Sequence, residues 1–172
     1  MMGQRVRAAM AGLVGVTLLP TPAFAADGVE LTTRVSGVVE EVLVSEGQKV
    51  TKGVLLVRLN PVILQARLDE ASAEEDRAKA DEADAKRELE RAQELYERTV
   101  SSTTELDAAS LAYARAQAGL AAAVARRVIA QRNLSDAELK APFDGVVSAL
   151  PAAPGVVVAA ECQPRTLVVL KR

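Results

Sequence analysis

The sequence SGVVEEVLVSEGQKVTKGVLLVRL, from Ser36 to Leu59, decides the fold because a related sequence occurs later in the chain. That second copy, DGVVSALPAAPGVVVAAECQPRTLVVL, runs from Asp144 to Leu170. As far as Val50 the alignment has no gap, and it pairs Gly37 with Gly145, Val38 with Val146, Val39 with Val147, Val42 with Leu150, Gly47 with Gly155 and Val50 with Val158. Such self-similarity indicates an internal repeat.

Both copies alternate glycine-bounded turns with valine-rich runs, a pattern typical of short strands in a compact sandwich or barrel. Neither copy has enough apolar positions to close a core alone. We therefore expect residues 26–60 and 139–172 to combine into one β domain, with the sequence between them inserted.

The inserted segment, residues 61–138, has the pattern of two helices. Asn60-Pro61 is a favourable helix start, because asparagine caps free amides and proline tolerates the first helical position. Mostly Leu and Ala recur at alternating steps of four and three, which predicts a coiled-coil seam. The seam positions are Leu64, Leu68, Ala71, Glu75, Ala78, Glu82, Ala85, Leu89, Ala92, Tyr96 and Thr99, and then Leu106, Ala109, Tyr113, Ala116, Leu120, Ala123, Arg127, Ala130, Leu134 and Ala137.

Residues 99–105 interrupt the seam and predict a tip at which the chain reverses. Ser102 and Glu105 have the spacing of a capping box that opens the second helix. If Thr99 faces Leu106, Arg127 lies opposite Ala78 and one seam level from Glu75 and Glu82. We expect Glu75, Glu82 and Arg127 to fix the register of the hairpin more than they stabilise it.

The N-terminus has the pattern of an export signal. Arg5 and Arg7 precede an apolar run over residues 8–19, and the small residues Ala23 and Ala25 mark a cleavage site, so residues 1–25 are predicted to be a signal peptide. The run is shorter than the roughly 20 residues needed to cross a bilayer.

Composition excludes several classes of function. Without the signal peptide the chain keeps 21 − 2 = 19 basic and 23 acidic residues, a net charge of −4 that does not suit a nucleic-acid binder. The chain has no His, so no Ser-His or Cys-His nucleophile pair can form. Cys162 is the only cysteine, which leaves a buried thiol or an intermolecular disulfide.

The repeat and the inserted hairpin together resemble the periplasmic adaptors, or membrane fusion proteins, of the HlyD-like type. The resemblance is carried by residues 35–39, by residues 46–50 with Gly53, and by residues 141–147 with Gly155. It implies an α+β fold: a split lipoyl/biotinyl-like β domain with an inserted antiparallel two-helix coiled-coil hairpin.

The resemblance also covers the tip. Adaptors of resistance-nodulation-division (RND) efflux systems carry an Arg-x3-Leu-x6-Ser pattern that is implicated in docking to the outer-membrane channel. Arg91, Leu95 and Ser102 have this spacing. From the residues alone, Arg91 is simply a solvated helix residue and Ser102 a helix cap; their location at the predicted tip favours docking.

The family resemblance implies a function without catalysis, cofactor or metal. We expect a periplasmic adaptor of a tripartite efflux or secretion system, which forms a ring of copies and bridges an inner-membrane transporter, RND type, to an outer-membrane channel protein. Family members normally carry a β-barrel and often a membrane-proximal domain, for which this sequence has no room, so we expect a short form. In the family, those two domains normally engage the inner-membrane transporter.

Two alternatives remain at the level of sequence. The first is a biotinyl or lipoyl carrier, for which Lys49 and Lys52 lie near a turn; the carrier lysine, however, belongs at the junction that the hairpin replaces. The second is a truncated adaptor without a transport function.

Overall fold

The computed structural model describes residues 28–99, 102–160 and 165–172. The predicted signal peptide and Cys162 lie outside these residues. The elements, in chain order, are β1 (Val29–Leu31), β2 (Gly37–Val42), β3 (Lys49–Val50), β4 (Leu55–Leu59), α1 (Val62–Glu97), α2 (Thr103–Ser135), β5 (Glu138–Lys140), β6 (Gly145–Ala149), β7 (Val157–Val158) and β8 (Val168–Lys171).

The eight strands form two four-stranded sheets, with the orders β1-β8-β6-β3 and β5-β4-β2-β7. Each sheet takes two strands from the first half of the chain and two from the second. The β domain, which we call the hub, therefore closes only when both halves are present. The predicted α+β fold with a divided β domain is confirmed.

The strand register repeats the sequence alignment. Gly37 pairs with Val158 in the second sheet, and the equivalent pair in the first sheet joins Gly145 to Val50. The backbone bonds that follow are also duplicated, since the Gly155 amide donates to the Val39 carbonyl at 2.8 Å and the Gly47 amide donates to the Val147 carbonyl at 2.8 Å. The two halves are thus related by an approximate twofold axis.

The core of the hub is duplicated in the same way. Large side chains of both halves are fully buried in it: Val39, Leu56, Val57 and Leu59 from the first half, and Val147, Leu167, Val168 and Leu170 from the second. Each buried Val or Leu contributes about 1.5–3 kcal/mol relative to an exposed one. Leu64 and Ala137 of the helical segment join this cluster, so the hairpin base is part of the hub core.

The helices α1 and α2 pack against each other along the predicted seam. Seam side chains from Leu64 to Ala92 and from Leu106 to Ala137 are buried or half-buried. Tyr96 and Thr99 were also assigned to the seam but are exposed, because α1 ends at Glu97 and few neighbours remain there. Within the described ranges, neither helix has the length and apolar character that crossing a bilayer requires.

The start of α1 differs by one position from the prediction. Pro61 is the N-cap residue and Val62 is the first helical residue. The Asn60 side chain still satisfies a free amide, since its Oδ1 accepts a hydrogen bond from the Val62 amide at 3.0 Å.

Candidate functional site at the hairpin tip and seam

The tip is built by two helix ends that are capped differently. Arg98 is the C-cap residue of α1, and its amide donates to the carbonyls of Glu94 and Tyr96. Ser102 opens α2: its hydroxyl accepts from the Glu105 amide at 3.4 Å, and the Glu105 carboxylate accepts from the Ser102 amide at 3.3 Å. The predicted capping box is therefore confirmed. Thr99 has a positive φ of 60°, a conformation that reverses the chain and that β-branched residues rarely adopt.

The three predicted docking residues lie at this end of the hairpin. Leu95 is 39% exposed, although leucine is normally buried. The Arg91 guanidinium donates to both carboxylate oxygens of Glu88, at 2.7 and 2.9 Å. Among the described residues, no hydrogen bond joins Arg91, Leu95 and Ser102 to one another. All three residues are exposed, and they offer one apolar side chain, one cation and one hydroxyl near the tip.

Glu75 is the centre of a polar cluster inside the seam. It is only 7% exposed. Its Oε1 lies 2.7 Å from the Lys79 ammonium on the same helix, and its Oε2 accepts from the Arg127 guanidinium on α2. Arg126 and Glu74 form a looser pair beside it, at 3.7 Å. The cluster therefore joins the two helices at one level.

The ion pairs shift the pKa of the groups that form them. The hydrogen bond from Lys79, followed by that from Arg127, holds the pKa of Glu75 below its ordinary value of 4.5. The same contact with Glu75 raises the pKa of Lys79 above 10.5. Both shifts favour the charged forms, so the cluster is ionised at neutral pH.

Of the two glutamates predicted to lie near Arg127, one contacts it in the structure. Glu75 contacts it, whereas Glu82 is half-buried and forms no ion pair with any described residue. Lys79 was missed by sequence reasoning, although its position four residues after Glu75 is the spacing at which helical side chains meet. Arg34 and Asp136, which pair at the hairpin base at 2.8 Å, were missed as well, and no local pattern marks them.

Lys49 and Lys52, the residues considered for a carrier, lie away from the junction of the two halves. Lys49 pairs with Val146 within a sheet. The Lys52 backbone amide donates to the Asp144 carboxylate at 2.6 Å. The hairpin occupies the junction at which a carrier lysine is expected.

A two-sheet hub divided by a long helical hairpin is the architecture of membrane fusion proteins. The structure of a membrane fusion protein from Streptococcus pneumoniae is similar, with a TM-score of 0.59 and 23% identity over 78% of this chain and 53% of that one. ZneB from Cupriavidus metallidurans gives a TM-score of 0.57 and 21% identity over 87% of this chain and 45% of its own. At these identities the likeness establishes the fold.

The family model "RND MFP, barrel-sandwich hybrid domain", in which MFP stands for membrane fusion protein, matches residues 27–170. The chain therefore belongs to the RND membrane fusion protein family, and the predicted family is confirmed. Among curated relatives, Multidrug resistance protein MdtA from Pectobacterium carotovorum is 32% identical over 120 residues. This match covers 70% of the chain but 29% of the relative, so the chain spans less than a third of that protein.

Proposed function

We propose that this chain is a periplasmic adaptor subunit of a tripartite efflux or secretion system. Its hairpin tip docks to an outer-membrane channel, and its hub belongs to the part of the assembly that faces an inner-membrane RND transporter. The observation that carries the proposal is a hub closed from both halves, from which a hairpin projects with Leu95 exposed near its far end. Membership of the RND membrane fusion family supports the same assignment.

The adaptor acts by bridging the distance between the transporter and the channel, and it catalyses no reaction. Helix α1 has 36 residues and is therefore about 54 Å long at 1.5 Å per residue. Copies of the chain pack side by side into a ring, so that their hairpins form a wall between transporter and channel. The transporter supplies the energy for export, and no cofactor is needed.

Docking combines one apolar contact with polar ones. Leu95 enters an apolar groove of the channel, while Arg91 exchanges its contact with Glu88 for a carboxylate or carbonyl of the channel. One such contact is weak, because an exposed leucine gains at most about 1.5–3 kcal/mol when it is fully buried. A ring presents many tips at once, and multivalency multiplies the effect of each.

The test is a charge placed at the tip. The Leu95→Asp variant puts a charge in the apolar contact, so we expect at least a tenfold loss of affinity for the outer-membrane channel of the same genome, measured by surface plasmon resonance with the channel in nanodiscs. Circular dichroism should show unchanged helicity, because Leu95 lies outside the seam.

The matched control is Ile129→Asp, which also replaces an exposed aliphatic side chain by aspartate. Ile129 is 60% exposed and lies in α2 near the hub. We expect its affinity for the channel to stay within twofold of the unmodified protein. Wild-type affinity in Leu95→Asp would refute the tip assignment, and an equal loss in both variants would show that docking does not depend on the tip.

A further inference from the structure

The loop between β1 and β2 contacts the base of the hairpin through its side chains. Thr33 is 6% exposed. Its hydroxyl lies 3.3 Å from two acceptors that share its one proton, the Asp136 carbonyl and the Val35 carbonyl, and it accepts from the Val35 amide at 3.2 Å. The neighbouring Arg34 guanidinium donates to the Asp136 carboxylate at 2.8 Å. Two adjacent hub residues thus hold the residue that caps the C-terminus of α2.

Asp136 is shared between the hub and its own helix. Its Oδ2 lies 2.8 Å from Arg34, and its Oδ1 lies 3.2 Å from Arg132, one turn back in α2. The Asp136 side chain is 17% exposed, so most of its surface is covered. Arg34 and Arg132 therefore offer a comparison in which two arginines bind the same carboxylate, but only the first joins the hub to the hairpin.

The repeat provides an internal comparison for these contacts. The alignment that pairs Gly37 with Gly145 also places Thr33 and Arg34 on Ala141 and Pro142. The equivalent loop of the second half forms backbone hydrogen bonds. The Gly53 amide donates to the Ala141 carbonyl at 2.8 Å, and the Ala141 amide donates to the Val54 carbonyl at 2.9 Å. Residues that build the hub recur in both halves, whereas Thr33 and Arg34 occur in the first half alone, where the second has Ala141 and Pro142.

The length of the hairpin makes its base angle important. Over the 36 residues of α1, a tilt of 10° at the base displaces the tip by about 9 Å at 1.5 Å rise per residue. A single exposed ion pair adds little stability, but it can restrict a soft bending motion of a long lever. We therefore expect this contact to affect the orientation of the hairpin more than the free energy of unfolding.

We propose that Thr33, Arg34 and Asp136 form a base clamp that fixes the direction of the hairpin on the hub. They are positioning residues for the tip. The proposal rests on the proposed function in one respect, namely that a fixed direction matters because the tip has to meet a channel. The clamp itself is a property of the isolated chain and can be measured without any channel.

The experiment measures a distance between hub and hairpin by pulsed electron paramagnetic resonance. Spin labels are attached to Val157→Cys, at an exposed edge strand of the hub, and to Gln93→Cys, at an exposed position of α1, with Cys162→Ser as background. In the Arg34→Gln variant we expect the distance distribution to broaden at least twofold. The variant should fold, because the bond from the Leu59 amide to the Ala137 carbonyl, 2.8 Å, and the burial of Leu64 remain.

Two further variants decide whether the clamp is the cause. Arg132→Gln removes the same charge from the same carboxylate, and we expect an unchanged distribution; Arg34→Lys keeps a cation on the hub side and should restore most of the native width. Equal widths in Arg34→Gln and the unmodified protein, or equal broadening in Arg34→Gln and Arg132→Gln, would overturn the clamp. Neither result would bear on whether Leu95 docks to a channel, so the two proposals fail separately.

Discussion

At the scale of residues, Glu75 and Glu82 occupy equivalent positions in the seam but have different surroundings. Glu75 contacts Lys79 and Arg127, whereas Glu82 has no ion pair with a described residue. An ion pair in a seam adds little stability over an apolar pair, but removing one partner leaves the other without compensation. The two glutamates therefore allow the paired and unpaired cases to be compared in one helix.

We predict that Glu75→Gln destabilises the hairpin and that Glu82→Gln does not. The first substitution removes the carboxylate that compensates Arg127 and leaves Lys79 with the more distant Asp76. The second removes a half-buried charge that pairs with none of the described residues, which should leave stability unchanged or raise it slightly. Urea unfolding followed by circular dichroism at pH 7 measures both. Similar losses in the two variants would show that the Glu75 cluster has no special role in the register.

The effect of Glu75 should disappear in acid. Since its pKa is lower in the folded protein than its ordinary value of 4.5, its contribution to the free energy of unfolding is fully present above that value and is lost as the pH falls through the lowered pKa. We predict that the urea midpoints of Glu75→Gln and the unmodified protein converge as the pH falls below 4.5. A difference that stays constant over this range would contradict the lowered pKa.

At the scale of elements, Ser102 has one role that the structure shows and one that we propose. It caps α2 through the capping box with Glu105, and it belongs to the docking pattern. A cap contributes about 1 kcal/mol. The two roles make different demands on the side chain, since a cap needs any short acceptor while a docking contact needs this hydroxyl in particular.

We predict that Ser102→Ala lowers the free energy of unfolding by about 1 kcal/mol, while Ser102→Asp, which retains an acceptor at the N-cap, leaves it nearly unchanged. Ser110→Ala, at an exposed position inside α2, is the control and should be neutral or slightly stabilising. If Ser102→Asp keeps stability but loses channel affinity, both roles are supported. Unchanged affinity in both Ser102 variants would leave the residue as a cap alone.

The seam and the capping box could be predicted from the sequence because both depend on spacing within a single helix. The partner of Arg127 could not, because Glu75 and Glu82 are each one seam level from it and side-chain orientation decides between them. The base clamp could not be predicted either, since Thr33 and Asp136 are 103 residues apart in the chain and belong to no repeat. The docking residues rest on a resemblance in pattern, to which the structure adds the exposure of Leu95.

At the scale of the whole molecule, the approximate twofold axis of the hub explains how so long an insertion is tolerated. Each half contributes two strands to each sheet, so the halves must meet for either sheet to form. The chain leaves the hub at Leu59 and returns at Ala137, whose carbonyl accepts from the Leu59 amide at 2.8 Å. The hairpin thus occupies the place of a tight connection between the two halves, and it projects from a hub that both halves close.

The twofold axis also predicts that equivalent substitutions in the two halves have equal effects. Gly47 and Gly155 have φ values of 81° and 83°, and a methyl group at either position would meet no atom within 4 Å. Any loss on substitution is therefore conformational, because a left-handed backbone costs other residues about 1–2 kcal/mol. We predict that Gly47→Ala and Gly155→Ala each lower the free energy of unfolding by that amount.

Gly119 provides the matched control for these two glycines. A methyl group there would also meet nothing within 4 Å, but Gly119 lies inside α2, where alanine is favoured over glycine by about 1 kcal/mol. Gly119→Ala should therefore stabilise the protein when urea unfolding is measured under the same conditions. A large difference between Gly47→Ala and Gly155→Ala would contradict the energetic equivalence of the two halves that the twofold axis predicts.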